Sequence, residues 1–172
     1  MSGSEIFDII DDATGSVVGT APRSRCHGDP SLLHRSVHVA VFSPDGDLLL
    51  QKRKMTKDIQ PGKWDSAAGG HLAHGETYEA AAVREMSEEL GVVPAPGSLK
   101  PLFDYKVRNE IESENVRVFS CVNAGPFHPQ ESELDEVRFF SPDDLRERLR
   151  KGDTADLTPL LCREIALLFP EK

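Results

Sequence analysis

Between residues 77 and 91 apolar side chains recur at helical spacing, with Ala82, Val83, Met86 and Leu90 lining one face. Thr77 stands where an N-cap belongs, and Gly91 where a left-handed C-terminal cap is wanted. Elsewhere the period shortens to two. Val37, Val39 and Val41 alternate with His38, Ala40 and Phe42, and across the Ser43-Pro44-Asp45-Gly46 turn Leu48-Leu49-Leu50 predicts a more buried strand. Glu5 to Ile10, the Asp11-to-Gly15 turn and Ser16 to Thr20 predict an N-terminal hairpin over residues 5–20. Residues 21–33, with two prolines and Gly28, read as an ordered loop. Leu102 to Val107, Val116 to Val122 and Glu136 to Phe140 predict three further strands. Ser141-Pro142-Asp143-Asp144 starts a helix that Gly152 ends, and Thr158-Pro159 starts a last amphipathic one, placing the C-terminal helices over 142–169. Strands interspersed with three helices imply an α/β fold, a mixed sheet with helices on both faces. No repeat or linker interrupts the chain, so residues 1–172 are expected to form a single domain.

The polar face of the first helix is its unusual feature. Glu85, Glu88 and Glu89 lie three and four residues apart, and like charges at that spacing cost roughly 0.2–0.5 kcal/mol per pair. They also occupy the last turns, the negative end of the helix dipole. A hard divalent cation such as Mg²⁺ removes the difficulty, because it prefers carboxylate oxygens and keeps positions open for water and phosphate. The alternative is a solvated acidic surface.

Composition narrows the setting. The 172 residues are 38% hydrophobic and 28% charged, which suits a globular domain with a sizeable core. A net charge of −9 argues against nonspecific binding to nucleic-acid polymers or membrane surfaces, and leaves an anionic substrate in need of a cation and a local basic patch. Lys52-Arg53-Lys54, Lys57 and Lys63 supply one such segment, whose alternative reading is a strand end with solvated cations. Cys26, Cys121 and Cys162 show no metal-site spacing and read as inert thiols. With no signal peptide and no membrane-length apolar run, the expected location is the cytoplasm.

The stretch Gly70, five residues, Glu76, seven residues, then Arg84-Glu85-Met86-Ser87-Glu88-Glu89-Leu90-Gly91-Val92 resembles the Nudix box, Gx5Ex7REUxEExGU with U aliphatic, at every specified position. The resemblance implies the Nudix fold, an α/β/α sandwich with a loop-helix-loop box, and a hydrolase dependent on Mg²⁺, or alternatively Mn²⁺. It implies catalytic positions at Glu85, Glu88 and Arg84, and metal ligands at Glu85, Glu88, Glu89 and the Gly69 carbonyl. Glu85 is either a third ligand or the acceptor of the water's proton. Arg84 orients a carboxylate such as Glu76, or is a plain surface ion pair. Arg53 and Lys63 fall where family members contact substrate phosphate. A base outside the box would be Glu131, Glu133 or Glu136.

A second resemblance runs from about Ile6 to Phe140. The segments HGDPSLLHR, GDLLLQKR, PGKWDSAAGGHLAHGE, FDYKV and ESENVRVF look like isopentenyl-diphosphate isomerase and the hydrolases closest to it. By that likeness His27, His34, His71, Glu112 and Glu114 fall on a divalent-metal set and Tyr105 on an active-site tyrosine. They are candidates for a second metal or for substrate contacts. His38 and His128 match nothing and read as structural. The isomerase carries a catalytic cysteine where this chain has Gly69, and it degrades the part of the box that is whole here. The resemblance therefore implies a hydrolase of nucleoside di- or triphosphates, or of another diphosphate linked to a group X. An isomerase and a non-catalytic nucleotide-binding domain are the alternatives. The partner expected is a small-molecule diphosphate, with the protein a monomer or homodimer.

Overall fold

The computed structural model describes residues 5–171. An N-terminal hairpin pairs β1 (Ile6–Ile10) with β2 (Val17–Pro22) as a separate two-stranded sheet. A single helical turn, α1 (Arg23–Cys26), then leads into β3 (Leu33–Phe42), the middle strand of the main sheet's path. That sheet also holds β4 (Leu48–Arg53), β5 (Trp64–Ser66), β6 (Ala68–His71), β7 (Lys100–Arg108), β8 (Ser113–Val122) and β9 (Leu134–Phe140). Its path runs β5-β4-β3-β8-β7, with β6 added to β3 and β9 to β4. Only β3 and β8 run parallel, so the sheet is mixed.

The partners of β3 create the cleft that matters. β4 meets β3 only at the Phe42–Leu48 pair, whereas β6 takes Ser36 to Val39. The sheet therefore opens between β4 and β6. Side chains of alternate parity leave β3 on opposite faces. Val37, Val39 and Val41 join Ala82, Met86 and Leu90 of α2 (Tyr78–Leu90) in one core. Ala40 and Leu50 join Leu145 of α3 (Pro142–Lys151) and Leu161 and Ile165 of α4 (Pro159–Leu168) in the other. The result is an α/β sandwich with helices on both faces.

The helix ends are set by the residues that sequence singled out. The hydroxyls of Thr77, Ser141 and Thr158 accept from the amides of Ala80, Asp144 and Leu161, and Gly91 and Gly152 close their helices with φ of 67° and 72°. Two expectations need correction. Residues 21–33 are not all loop: Ala21 and Pro22 finish β2, and Arg23–Cys26 form α1, a turn too short to show a helical period. There are thus four helices rather than three among the described residues, and β5 and β6, of three and four residues, are too short to carry an alternation that would announce them. Among the described residues no helix is long and apolar enough to cross a membrane.

Met86 is fully buried at the centre of the α2 core. Met86→Ala is expected to destabilise the protein by about 2–5 kcal/mol in denaturant unfolding, with the slope unchanged. A loss under about 1 kcal/mol would place this helix face outside the core.

Candidate functional site

The charged face of α2 is packed against β6. Arg84 grips Glu76 with two hydrogen bonds, Nε to Oε1 at 2.8 Å and Nη2 to Oε2 at 3.0 Å. Its Nη2 also donates to the His71 carbonyl at 3.0 Å, and Nη1 to Glu85 Oε1 at 2.6 Å. Arg84 is therefore an organiser joining the box loop, the helix and β6, not a loose surface pair, and these carboxylates raise its own pKa. A Cβ built on Gly70 would lie 2.5 Å from the Glu85 carboxyl carbon, which explains why this position has no side chain.

The three box glutamates do not share one environment. Glu85 is buried and its pKa is pushed up to about 7 by that burial, against the pull of Arg84. Glu89, held by Gln51 Nε2 at 2.6 Å, is pushed up to about 8 by burial and by the charge of Glu85. Glu88 is exposed, with Arg84 Nη1 at 3.4 Å. Two desolvated carboxylates that repel each other, at the helix end where the dipole is also negative, form a setting that a cation would stabilise. The Gly69 amide faces Glu89. Gln51 was missed in the sequence; its one signal is a polar residue directly after three buried leucines.

The other face of β6 carries a second cluster. His27, His34, His71, Glu112 and Glu114 each offer one ligand atom, all within 4.8 Å of one another. Each is placed by a local device. His27 caps α1, its amide donating to Arg23 O at 3.0 Å. His34 lies opposite Glu114 in the parallel β3–β8 register, and His71 opposite Ser36. Glu112 sits in a turn whose amides donate to Asn109 Oδ1 at 2.8 Å. Phe7 of the hairpin stacks on His71 and His34, with centroids 4.8 and 5.3 Å away. Nothing in the sequence near Phe7 gives notice of that role.

The hydrogen bonding of this cluster is incomplete in a telling way. His34 Nδ1 lies 3.0 Å from the Leu32 carbonyl, which can only accept, so Nδ1 carries the proton. Nε2 is then directed at Glu114 Oε1, 3.4 Å away, and has no hydrogen-bond partner among the described residues. His27 Nε2 and His71 Nε2 face each other at 3.2 Å, and His71 Nε2 also approaches Glu114 Oε1 at 2.7 Å. Burial and the neighbouring His71 lower the His27 pKa to about 4. Burial, then Glu114, raise Glu112 to about 7. Glu114 itself stays well below the usual carboxylate range: burial opposes its charge, but the imidazoles of His34 and His71 facing it prevail. A fully buried lone pair aimed at a carboxylate is satisfied by a proton or by a cation between them, and the three-imidazole, two-carboxylate donor set fits a divalent metal.

The remaining candidates are dispersed. Arg53 donates to Ile59 O at 3.1 Å and to Asp65 at 3.5 Å, on the strand that leads away from Gln51. Lys63 follows Gly62 at the start of β5, its carbonyl accepting from the Arg53 amide. Glu133 pairs with Lys57, and Glu136 with Arg138 at 2.6 Å. Tyr105 donates to Glu164 of α4 at 2.7 Å, and His38 pairs with the same carboxylate. Burial works against the His38 charge, but Glu164 raises its pKa to about 9.

Set beside known proteins, residues 32–161 match the NUDIX domain family. An uncharacterized Nudix hydrolase of Yersinia pestis is 36% identical over 148 residues, covering 84% of this chain and 77% of its own. An isopentenyl-diphosphate Delta-isomerase of Nocardia farcinica is 32% identical over 166 residues, covering 93% and 92%. The crystal structure of a Deinococcus radiodurans protein superposes with a TM-score of 0.78 at 23% identity, over 97% of this chain and all of that one, a likeness of fold.

If the histidine set holds a metal, His34→Ala is expected to weaken Mn²⁺ binding by at least about tenfold in calorimetric titration. Equal affinity in the variant would reduce the cluster to a hydrogen-bonded part of the core.

Proposed function

The chain belongs to the NUDIX domain family and is a Nudix hydrolase, and from that premise we propose that it cleaves, with Mg²⁺, a phosphoanhydride bond in a nucleoside di- or triphosphate or a related diphosphate linked to X. The observation that carries this reading is the pair of desolvated carboxylates, Glu85 and Glu89, beside the side-chain-free backbone at Gly69 and Gly70. Glu85, Glu88, Glu89 and the Gly69 carbonyl are the proposed ligands, with Mn²⁺ as the alternative ion. The bound ion supplies charge neutralisation for phosphoryl oxygens and lowers the pKa of a coordinated water. Arg84 fixes the position of Glu85 and Glu76, so that the acidic groups do not reorganise when substrate arrives. Gln51 does the same for Glu89. Arg53, at the end of β4, and Lys63, just before β5, are assigned to the substrate phosphates. The substrate is taken to be a small molecule, and the compartment the cytoplasm.

A second reading has one observation in its favour: the histidine–glutamate cluster, together with relatives named isopentenyl-diphosphate isomerase. Against it stands Gly69, which offers no proton donor where that resemblance calls for a thiol. A Cβ there would lie 2.6 Å from the His38 ring.

A panel of nucleoside and other diphosphates, assayed with and without Mg²⁺ and read by product, tests the proposal. Glu88→Gln and Glu89→Gln are each expected to lower turnover by about 10²-fold or more. Mg²⁺-dependent nucleotide binding without product would favour a sensing domain, and conversion of isopentenyl diphosphate would favour the isomerase.

A further inference from the structure

The turn that joins β6 to α2 is fastened from outside the Nudix box. Ala73, His74, Gly75 and Glu76 form it, with the Glu76 amide donating to the Ala73 carbonyl at 3.0 Å and Gly75, in the third position, taking a φ of 75°. The His74 side chain is 67% exposed, and a Cβ on Gly75 would meet nothing within 4 Å, so packing does not hold the turn in place. Hydrogen bonds do. Among the described residues, every one that residues 73–75 make beyond the box goes to β1. The His74 amide donates to the Ile6 carbonyl at 2.9 Å, while His74 Nδ1 and the Gly75 amide donate to the two oxygens of Asp8 at 2.6 and 3.0 Å.

Asp8 is placed for this task. It is 4% exposed, and Arg35 Nη2 of β3 donates to it at 3.0 Å, so one carboxylate ties the turn to the main sheet through the hairpin. Burial works against its charge, but the bonds from His74 and Gly75 and the Arg35 guanidinium hold its carboxyl below the usual range. The hairpin has an apolar anchor of its own, because Phe7 leaves β1 on the opposite face and packs with Ala21, Cys26 and Leu32. A desolvated charge with three directional donors adds geometry rather than adhesion.

What the turn positions is Glu76. Its Oε2 accepts from the Ala73 amide at 2.9 Å, and both its oxygens are gripped by Arg84, which also donates to Glu85 Oε1 at 2.6 Å. A continuous chain of hydrogen bonds therefore runs from Asp8 through the turn, Glu76 and Arg84 to Glu85. β1 lies outside residues 32–161, which match the NUDIX domain family, so this support reaches the box from beyond that match.

We propose that Asp8 is a positioning residue of the hydrolytic centre: from the hairpin it holds the turn, sets Glu76, and through Glu76 fixes the Arg84 guanidinium that orients Glu85. Its effect on rate rests on the hydrolytic reading, whereas its effect on Arg84 is a property of the metal-free protein. A misplacement of about 1 Å that originates far from the chemistry can cost about a hundredfold in rate.

The test compares Asp8→Ala and Asp8→Asn with the unmodified protein. Without metal, NMR is expected to show the Arg84 Nε–H and the Ala73 amide exchanging with solvent about tenfold faster in Asp8→Ala, while the Met86 amide in the middle of α2 keeps its rate. With Mg²⁺ and a diphosphate that the substrate panel shows to be turned over, kcat should fall about tenfold at unchanged KM. Asp8→Asn keeps an oxygen for the Gly75 amide. It should lie between the other two in both measurements, and it serves alone if Asp8→Ala does not fold. Adding Asp8→Ala to Arg84→Ala should cost nothing further, because both act through one chain. Arg84 Nε–H exchange unmoved in the folded variants overturns the inference, and so does a loss in kcat that multiplies the loss caused by Arg84→Ala. Failure of the hydrolytic reading has a different signature: the exchange quickens, but the unmodified protein turns over no diphosphate.

Discussion

Two consecutive glycines, Gly69 and Gly70, let charged side chains press on β6 from both faces of the sheet. The carboxylate of Glu85 fills the volume of a side chain at 70, and the ring of His38 fills the volume of one at 69. Successive residues of a strand point to opposite faces, so a single dipeptide separates two polar centres. Any larger residue at either position would displace one of them. His71, the next residue, contributes its ring to the histidine cluster and its carbonyl to Arg84, and so belongs to both sides.

The two apolar cores make this arrangement tolerable. α2 contributes Ala81, Ala82, Met86 and Leu90 to one core, while Leu145, Leu161 and Ile165 fill the other from α3 and α4. Burial on that scale offsets the desolvation of Glu85, Glu89, Glu114 and Glu164, each of which is held by specific donors rather than left unpaired. Asp8 extends the same logic to the hairpin. It accepts from His74 at 2.6 Å, from the Gly75 amide at 3.0 Å and from Arg35 at 3.0 Å, fastening the hairpin, with Phe7 upon it, over the cluster.

Sequence reading succeeded where a local rule applies. Thr77 and Gly91 cap α2, and Ser141 and Thr158 cap the last two helices, because capping involves residues only a few positions apart. The contact of Arg84 with Glu76, eight residues away, was suggested by the likeness to the Nudix box rather than by a local rule. The histidine set was legible only through family likeness, since His27, His34 and His71 are brought together by a one-turn helix and two strand registers that leave no local trace. His38 reads as structural from the sequence, and its buried pairing with Glu164 agrees with that. Its partner Glu164 lies 126 residues away, and pairing at that separation has no signature in a single sequence. Phe7 and Gln51 escaped notice likewise, their partners being fixed by sheet topology rather than by spacing.

In the proposed function, cations resolve the negative charge gathered around β6. Anomalous diffraction from crystals soaked in Mn²⁺ and a non-hydrolysable nucleotide addresses this directly. One peak is expected beside Glu85, Glu88, Glu89 and the Gly69 carbonyl, and another among His27, His34, His71, Glu112 and Glu114. A map with nucleotide bound and no peak at either place would contradict the account.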